Sequence, residues 1–520
     1  MSDDRPDLYL GLVCAVGTDL SEIKRQLRAQ LEVVKYSEVP IKVSSAIQEA
    51  LDLEVPADND FERVKTLMEG GDTLRAYSPD AIGVTALIVS QIRAARGDTG
   101  ASMSRAFVID SLKNPKEISA LDKLYSRSFY SIAIYQSKDT RRANLANKIA
   151  RSRHQHVQEA HFAEADELIS RDEKGEEESG QSVRDTFPKA DFFVDASKPI
   201  TPQIRRFAQL IFGEPFTTPT DDEYMMFIAK ATALRSCDLS RQVGAVIANQ
   251  GHEIIATGCN EVPKPGGGFF VEGRSGIKDN RDKVEGHDPN FNEVKRSISE
   301  FIEILMETTY IDKKLDKNEI AEELLHGQYK RLMGDARVRN LIEFGRVVHA
   351  EMHALSQAAL LGRKVAGGTL YCTVYPCHLC AKHIIAAGID EVVYIEPYPK
   401  SLTETLYRSE IVADWDGSEA SEQRPKEVKF RAFHGISPTL YHRVFSHRPR
   451  KDSYGAIAEW VPESALPVGA PPDISDARFE EYVASQVAET VEKIHTASQD
   501  GQLGEHDVGN TVESADDARS

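Results

Sequence analysis

The spacing from His349 to Cys380 constrains this chain more than any other stretch. It reads His349-Ala350-Glu351, then a helical run, a glycine pair and a strand, then Pro376-Cys377-His378-Leu379-Cys380. A Cys-x-x-Cys pair with an upstream His offers three soft or borderline donors, which suit a four-coordinate zinc (Zn2+) keeping its last position for water. To bring these donors together the chain must run out along a helix and return along a strand. Thr369-Leu370-Tyr371-Cys372-Thr373-Val374-Tyr375 after Gly367-Gly368 is β-branched and aromatic, a strand signal, and Pro376 opens a helix at its end. Cys377 and Cys380 then lie one turn apart near a helix N-terminus, where amide groups and the dipole favour thiolates. His349 begins an Ala-rich helical run ended by Gly362, so Glu351 projects from the first turn beside the metal, placed to carry protons between water and a leaving amine. The alternative, a structural zinc or a redox cysteine pair, needs the His-Ala-Glu and the strand-Pro-Cys contexts both to be accidents.

His-x-Glu followed by Pro-Cys-x-x-Cys resembles the signature of the zinc-dependent cytidine and deoxycytidylate deaminases. The resemblance implies that His349, Cys377 and Cys380 are zinc ligands and that Glu351 is the general acid/base, outside the metal shell. It also implies hydrolytic attack of activated water at C4 of a cytosine ring, with Glu351 protonating N3 and then the departing amine.

One deaminase unit would not fill 520 residues, which suffice for two or three domains. With 63 basic against 82 acidic residues the net charge is −19, a poor general field for a polyphosphate backbone. A local basic pocket for one nucleotide is still allowed. No apolar run reaches the length of a membrane span, and Met1-Ser2-Asp3-Asp4-Arg5-Pro6 lacks the regions of a secretion signal, so a cytoplasmic protein is expected. Cys14, Cys237, Cys259 and Cys372 are dispersed and read as core residues in a reducing compartment.

The amino-terminal part reads as strand, glycine turn, helix: Asp7 to Val16, Gly17-Thr18-Asp19, then Leu20 to about Val34. Such a turn presents amides to phosphate, and Gly11, Gly17, Thr18 and Asp19 are its candidate nucleotide-binding residues, but no Gly-Lys-Ser or Gly-Lys-Thr is present. Further strands are expected at Ser104–Asp110 and Ser128–Tyr135 with helices between, a parallel α/β arrangement that resembles a degenerate P-loop nucleotide-kinase fold. Arg127, Arg141 and Arg142 read as phosphate contacts or as solvated charges. Without the lysine a γ-phosphoryl transition state is poorly stabilised, so binding, regulation or assembly is expected of this domain. Arg171 to Gly180 reads as a charged surface stretch, and Phe187-Pro188-Lys189-Ala190-Asp191 starts a short element. Thr201 begins a helix to about Phe212, and Pro215 to Thr220 is the linker, giving a first domain at 5–214 and a second at 220–445.

The second domain opens on a helix from Asp221 to Arg235 and a hairpin, Val243–Ala248 and Glu253–Val262, turned at Asn249-Gln250-Gly251. In deoxycytidylate deaminases a similar Val-Gly-Ala strand and Gly-x-Asn turn line the substrate pocket. That likeness makes Asn260 a candidate for the sugar, and Arg241 and Lys264 candidates for phosphate. The insertion at about 263–345 holds Gly266-Gly267-Gly268, the polar cluster Asp279-Asn280-Arg281-Asp282, Gly286-His287-Asp288, and helical stretches near Asn292–Leu305 and Lys317–Met333. Its polar part reads as a solvated loop, and His287 and His353 as pocket or surface residues. Glu391–Glu396 is a further strand, as is the region of Val428, Phe430 and Phe433, completing an α/β/α sandwich; residues 496–520 read as a disordered tail.

Arg241–Ile247, Gly258–Pro263 and Glu396-Pro397-Tyr398-Pro399-Lys400-Ser401 behind a degenerate P-loop domain resemble the bacterial antiphage cytidine deaminases, over about residues 5–445. The resemblance implies an enzyme that converts dCTP and dCMP to deoxyuridine nucleotides and so depletes the pool that phage replication needs. It further implies a homo-oligomer, a possible regulatory nucleotide and an inhibitory small RNA. Two alternatives remain open: a tRNA or single-stranded DNA deaminase, which would need a basic channel with stacking aromatics, and a non-catalytic nucleotide sensor.

Overall fold

The computed structural model describes residues 5–97, 104–156, 158–174, 180–273, 278–308, 310–312, 314–330, 332–334, 336–396, 401–413, 427–469 and 477–499. It divides into two compact units, Met1–Thr218 with His434–Ser520, and Pro219–Phe433.

In the first unit, β1 (Leu8–Cys14) has the near-continuous apolar sequence of a strand covered on both faces, and every residue of it is buried. It is central: β2 (Ser37–Lys42), β3 (Arg105–Leu112), β4 (Phe129–Tyr135) and β5 (Phe192–Asp195) form with it a parallel sheet in the order β5-β4-β1-β3-β2. One face of β1 packs Leu8, Leu10 and Leu12 with Ile23, Leu27 and Leu31 of α1 (Ser21–Val33). Each such leucine, fully buried, contributes about 1.5–3 kcal/mol. On the other face Tyr9 stacks on Tyr125 and Phe107. Gly11 lies mid-strand on this face, not in the turn, and a Cβ there would come within 2.5 Å of Leu112 Cδ1. It serves close packing of the sheet and is not part of a phosphate loop. β2 carries Pro40, tolerated because β2 is an edge strand.

Two helices matter below, α2 (Lys138–Ser152) and α3 (Phe162–Lys174). The charged stretch expected from Arg171 on is therefore helical as far as Lys174, and residues 175–179 lie outside the described residues. The chain returns to this unit after residue 433, where Gly435–Ile436 pairs antiparallel with β5. The second unit thus stops short of the expected 445, because this two-residue strand and Leu440 and Val444 join the first unit's core. Thr496–Gln499 form the last turn of a helix, Ala477–Gln499, where a disordered tail was expected; residues 500–520 lie outside the described residues.

The second unit begins with α4 (Asp221–Ala233), whose Thr220 and Glu223 form a reciprocal capping box. Its mixed sheet runs β10-β11-β9-β8-β6-β7. β6 (Gly244–Ala248) and β7 (Ile254–Cys259) make the expected antiparallel hairpin, and β8 (Thr369–Val374) is antiparallel to β6. β9 (Glu391–Glu396), β10 (Ile411–Val412) and β11 (Val428–Ala432) continue the sheet in parallel. The insertion carries α5 (Pro289–Glu307) and α6 (Lys317–Leu325), which bury Val294, Ile298 and Ile302 against Ala321 and Leu325 in a small core of their own. α7 (Ala350–Leu360) packs on the hairpin, and α8 (His378–Ala386) connects β8 to β9. Both units are α/β. No helix among the described residues is long and apolar enough to cross a membrane.

Candidate active site

His349 is the N-cap residue of α7 and Cys377 the N-cap residue of α8, so two helix N-termini converge. The second helix starts two residues later than expected, at His378: Cys377 is extended (φ −70°, ψ 165°), so Pro376 precedes the cap instead of opening the helix. Cys380 sits in the first turn of α8, and His349 Nδ1 lies 3.3 Å from each sulfur. Bond lengths of about 2.3 Å to sulfur and 2.0–2.1 Å to nitrogen in a tetrahedral shell place S and N about 3.6 Å apart, so the three donors fit a zinc within a few tenths of an ångström. Among the described residues this is the only His/Cys/Asp/Glu cluster with that character.

Within this cluster the three donors share protons: the hydrogen bond with Cys377, with burial, holds the Cys380 thiol well above its ordinary range. Hydrogen bonds from Cys380 and then His349 hold the Cys377 thiol well below its ordinary range, towards a thiolate. The hydrogen bond to Cys377 raises His349 to about 9, against its burial. Glu351, one residue into α7, is 3% exposed. Burial, then the negative charge of Cys377, raise its carboxyl above the ordinary value while His349 opposes them. A carboxyl so placed exchanges protons nearer neutrality than a surface glutamate does.

These groups open on a cavity of about 240 Å³. Asn260 lines it, but both ends of its amide are already used: Oδ1 accepts from Val243 N–H at 2.7 Å and Nδ2 donates to the Arg241 carbonyl at 2.7 Å. One donor hydrogen and one lone pair remain for a ligand. Arg241 also lines the cavity, its guanidinium paired with Glu396. Lys264 does not line it; its amide closes the Gly266–Gly268 turn by bonding Gly268 O. The motif Glu396–Ser401 is described only at its ends, since residues 397–400 lie outside the described residues.

The polar part of the insertion is not a plain solvated loop. Asp282, Asp288 and Arg346 line the cavity, Arg346 Nη1 standing 3.2 Å from Asp282 Oδ1. Arg281 is 3% exposed and binds Asp279 at 2.7 Å and Glu272 at 2.9 Å, with buried Glu261 at 3.8 Å. Glu261 in turn bridges backbone to backbone with Val348, the neighbour of His349. The insertion is thereby tied to the segment that delivers the histidine. The Asp279–Asp282 cluster was the only sequence signal for this, and it lacks any periodicity that separates a buried network from a wet loop. His287 is exposed, and His353 is buried with Nδ1 bonded to Cys259, so neither joins the metal cluster. In the first unit, Gly17, Thr18 and Asp19 form the turn after β1. Thr18 Oγ1 donates to Ala15 O at 2.7 Å, and Asp19 Oδ1 accepts from Ser21 N–H at 3.0 Å.

Residues 219–396 match the cytidine and deoxycytidylate deaminase zinc-binding region. The chain is 47% identical over 53 residues to ComE operon protein 2 of Bacillus subtilis (strain 168), covering 10% of this chain and 28% of that protein. It is 26% identical over 173 residues to the deoxycytidylate deaminase of Mus musculus, covering 33% and 63% respectively. The chain spans less than a third of the length of the first curated relatives it matches. A crystal structure of dCMP deaminase from the cyanophage S-TIM5 aligns with 42% of this chain and all of its own, at 18% identity and a TM-score of 0.22.

Proposed function

We propose that the second unit hydrolytically deaminates deoxycytidine nucleotides, dCTP and dCMP, to deoxyuridine nucleotides and ammonia. The observation that carries this is a buried carboxyl, Glu351, beside a His349/Cys377/Cys380 donor set at the wall of a nucleoside-sized cavity. When bound, zinc lowers the pKa of a water towards neutrality. Glu351 takes the proton that this water loses as its oxygen adds to C4, delivers it to N3, and passes a second proton to the amine, so that cytosine and water become uracil and ammonia. The free donor and lone pair of Asn260 face the sugar, and Arg241 with Arg346 meets the phosphates. Lys264 is left out of that set.

The remaining parts of this reading rest on the family resemblance. They are depletion of the nucleotide pool in antiphage defence, a cytoplasmic homo-oligomer, a P-loop-like first unit, and control by a regulatory nucleotide or an inhibitory small RNA. The test is to incubate the zinc-replete protein separately with dCMP, dCTP, cytidine and a cytosine-containing single strand, following ammonia and product. Turnover of the free nucleotides with none of the strand supports the reading; turnover of the strand alone overturns it. Glu351→Ala is expected to abolish turnover with zinc content retained, whereas Cys377→Ser loses both.

A further inference from the structure

We propose that the turn after β1 is an oxyanion site occupied from within: the Asp172 carboxylate stands where a phosphate group would, held by the Val16 amide and the Lys113 ammonium. Val16 N–H donates to Asp172 Oδ2 at 2.6 Å, and Lys113 Nζ donates to Oδ1 at 2.9 Å. Asp172 is fully buried, and Lys113 Nζ is anchored on the other side by Cys14 O, the last residue of β1, at 2.6 Å. A backbone amide following the central strand of a parallel sheet, joined by a lysine, is the donor set that recognises a phosphate oxygen. Its position is the crevice outside the carboxyl ends of the strands, where open α/β sheets bind ligands.

The closure is made by one helix. Asp172 lies in the last turn of α3, and the same helix sets Glu173 on Arg141 at 2.8 Å and Asp166 on Arg142 at 2.7 Å. Two of the three arginines that the sequence offers as phosphate contacts, Arg141 and Arg142, and the nearby lysine, are thus each paired with an acid of α3. The turn itself is shut by α2: a Cβ on Gly17 would stand 2.5 Å from Arg141 O, and Asn144 Nδ2 donates to Gly17 O at 3.0 Å.

Arg141, whose carbonyl faces the turn, is 7% exposed, and its Nη1 is buried without a hydrogen-bond partner. The loop therefore keeps the donors of an anion site while the chain supplies the anion, and phosphate enters only where Asp172 is withdrawn.

The test uses the full-length, zinc-replete protein with inorganic phosphate, against chloride at equal ionic strength. Wild type is expected to show no rise in Tm and no retention of radiolabelled phosphate in equilibrium dialysis that Lys113→Met removes. Asp172→Ala is expected to melt lower than wild type and to gain a saturable rise of roughly 5 °C with about one phosphate bound per chain. Adding Lys113→Met to Asp172→Ala should remove that gain. Phosphate binding by wild type that Lys113→Met abolishes overturns the proposal, because the site is then open; a folded Asp172→Ala without phosphate binding overturns it too. Should Asp172→Ala fail to fold in chloride, refolding in phosphate decides: recovery supports the internal anion and failure in both salts refutes it.

Discussion

Gly258→Ala adds one methyl group where β7 crosses α7. A Cβ there would lie 2.5 Å from Ala354 N and 3.0 Å from His353 Cβ, with Ala350 O nearer still. The closest atoms are helix backbone, so no rotamer relieves the clash. Ordinary contact begins at 3.4 Å, so α7 must move from the sheet by about 0.9 Å or more. That helix starts at Ala350, with His349 as its cap and Glu351 in its first turn, whereas both cysteines ride on α8. Metal sites tolerate about 0.2 Å in ligand distance, and a displacement of about 1 Å of a reacting group costs on the order of 10²-fold in rate. The variant should lose about 1–3 kcal/mol of stability to overpacking, weaken zinc retention, and turn over about 10²-fold more slowly. Zinc per chain after dialysis against a metal buffer, steady-state turnover of dCMP and dCTP, and thermal melting check each part. Gly251→Ala is the control, since a methyl there meets only Asn249 Oδ1 at 3.3 Å. Wild-type zinc retention and kcat in Gly258→Ala would refute the claim that this crossing sets the ligand geometry.

Glu117→Ala in the first unit leaves Arg75 with Asp72 alone, at 3.2 Å, and removes the acceptor of its Nε and Nη2, which donate to Glu117 Oε1 at 2.9 and 2.7 Å with both side chains buried. The expected loss is about 3–5 kcal/mol in urea unfolding, and a loss under about 1 kcal/mol would contradict the pairing. Burial raises Asp191 to about 6, so folded protein binds a proton that the unfolded chain releases near pH 3.8, and this residue's contribution falls as pH rises through 6. Asp191→Asn, which can still accept from Ser131 N–H and Oγ, should flatten stability between pH 4 and 6 by at most about 3 kcal/mol; partial exposure makes this an upper bound. Burial lowers His353 to about 4, so its contribution is full above pH 6.5 and is lost as pH falls towards 4, by up to about 3 kcal/mol. Replacing it with Gln should remove that acid limb from the melting profile; an unchanged limb would show that another group titrates there.

The convergence of His349, Cys377 and Cys380 was legible because its logic is local: a cap position, a helix turn and a strand bring the three together within one short stretch. The hairpin β6–β7 was legible for the same reason. β2 was not, since Ser37-Glu38-Val39-Pro40-Ile41-Lys42 has no apolar run and is held as an edge by β3 alone. Gly11 misled because a glycine in a buried strand and a glycine in a phosphate turn look alike in sequence. Only the neighbouring Leu112 and Phe129 side chains distinguish them. The return of the chain at Gly435–Ile436 rests on two residues pairing with β5, far below what any periodicity can register.

The two glycines of the hairpin let helix backbones lie directly on the sheet. Gly244 lets β6 touch α4, where a Cβ would meet Ala233 N at 2.8 Å, and Gly258 lets β7 touch α7. Glu351, in the first turn of α7, is 3% exposed. That burial raises its carboxyl, and the charge of Cys377 raises it further. The helix that Gly258 seats against the sheet therefore carries both His349 and the buried acid, while Cys377 and Cys380 ride on α8. A carboxyl placed at the same distance by a longer loop would keep its water and with it an ordinary pKa, giving a metal site without a matched proton carrier.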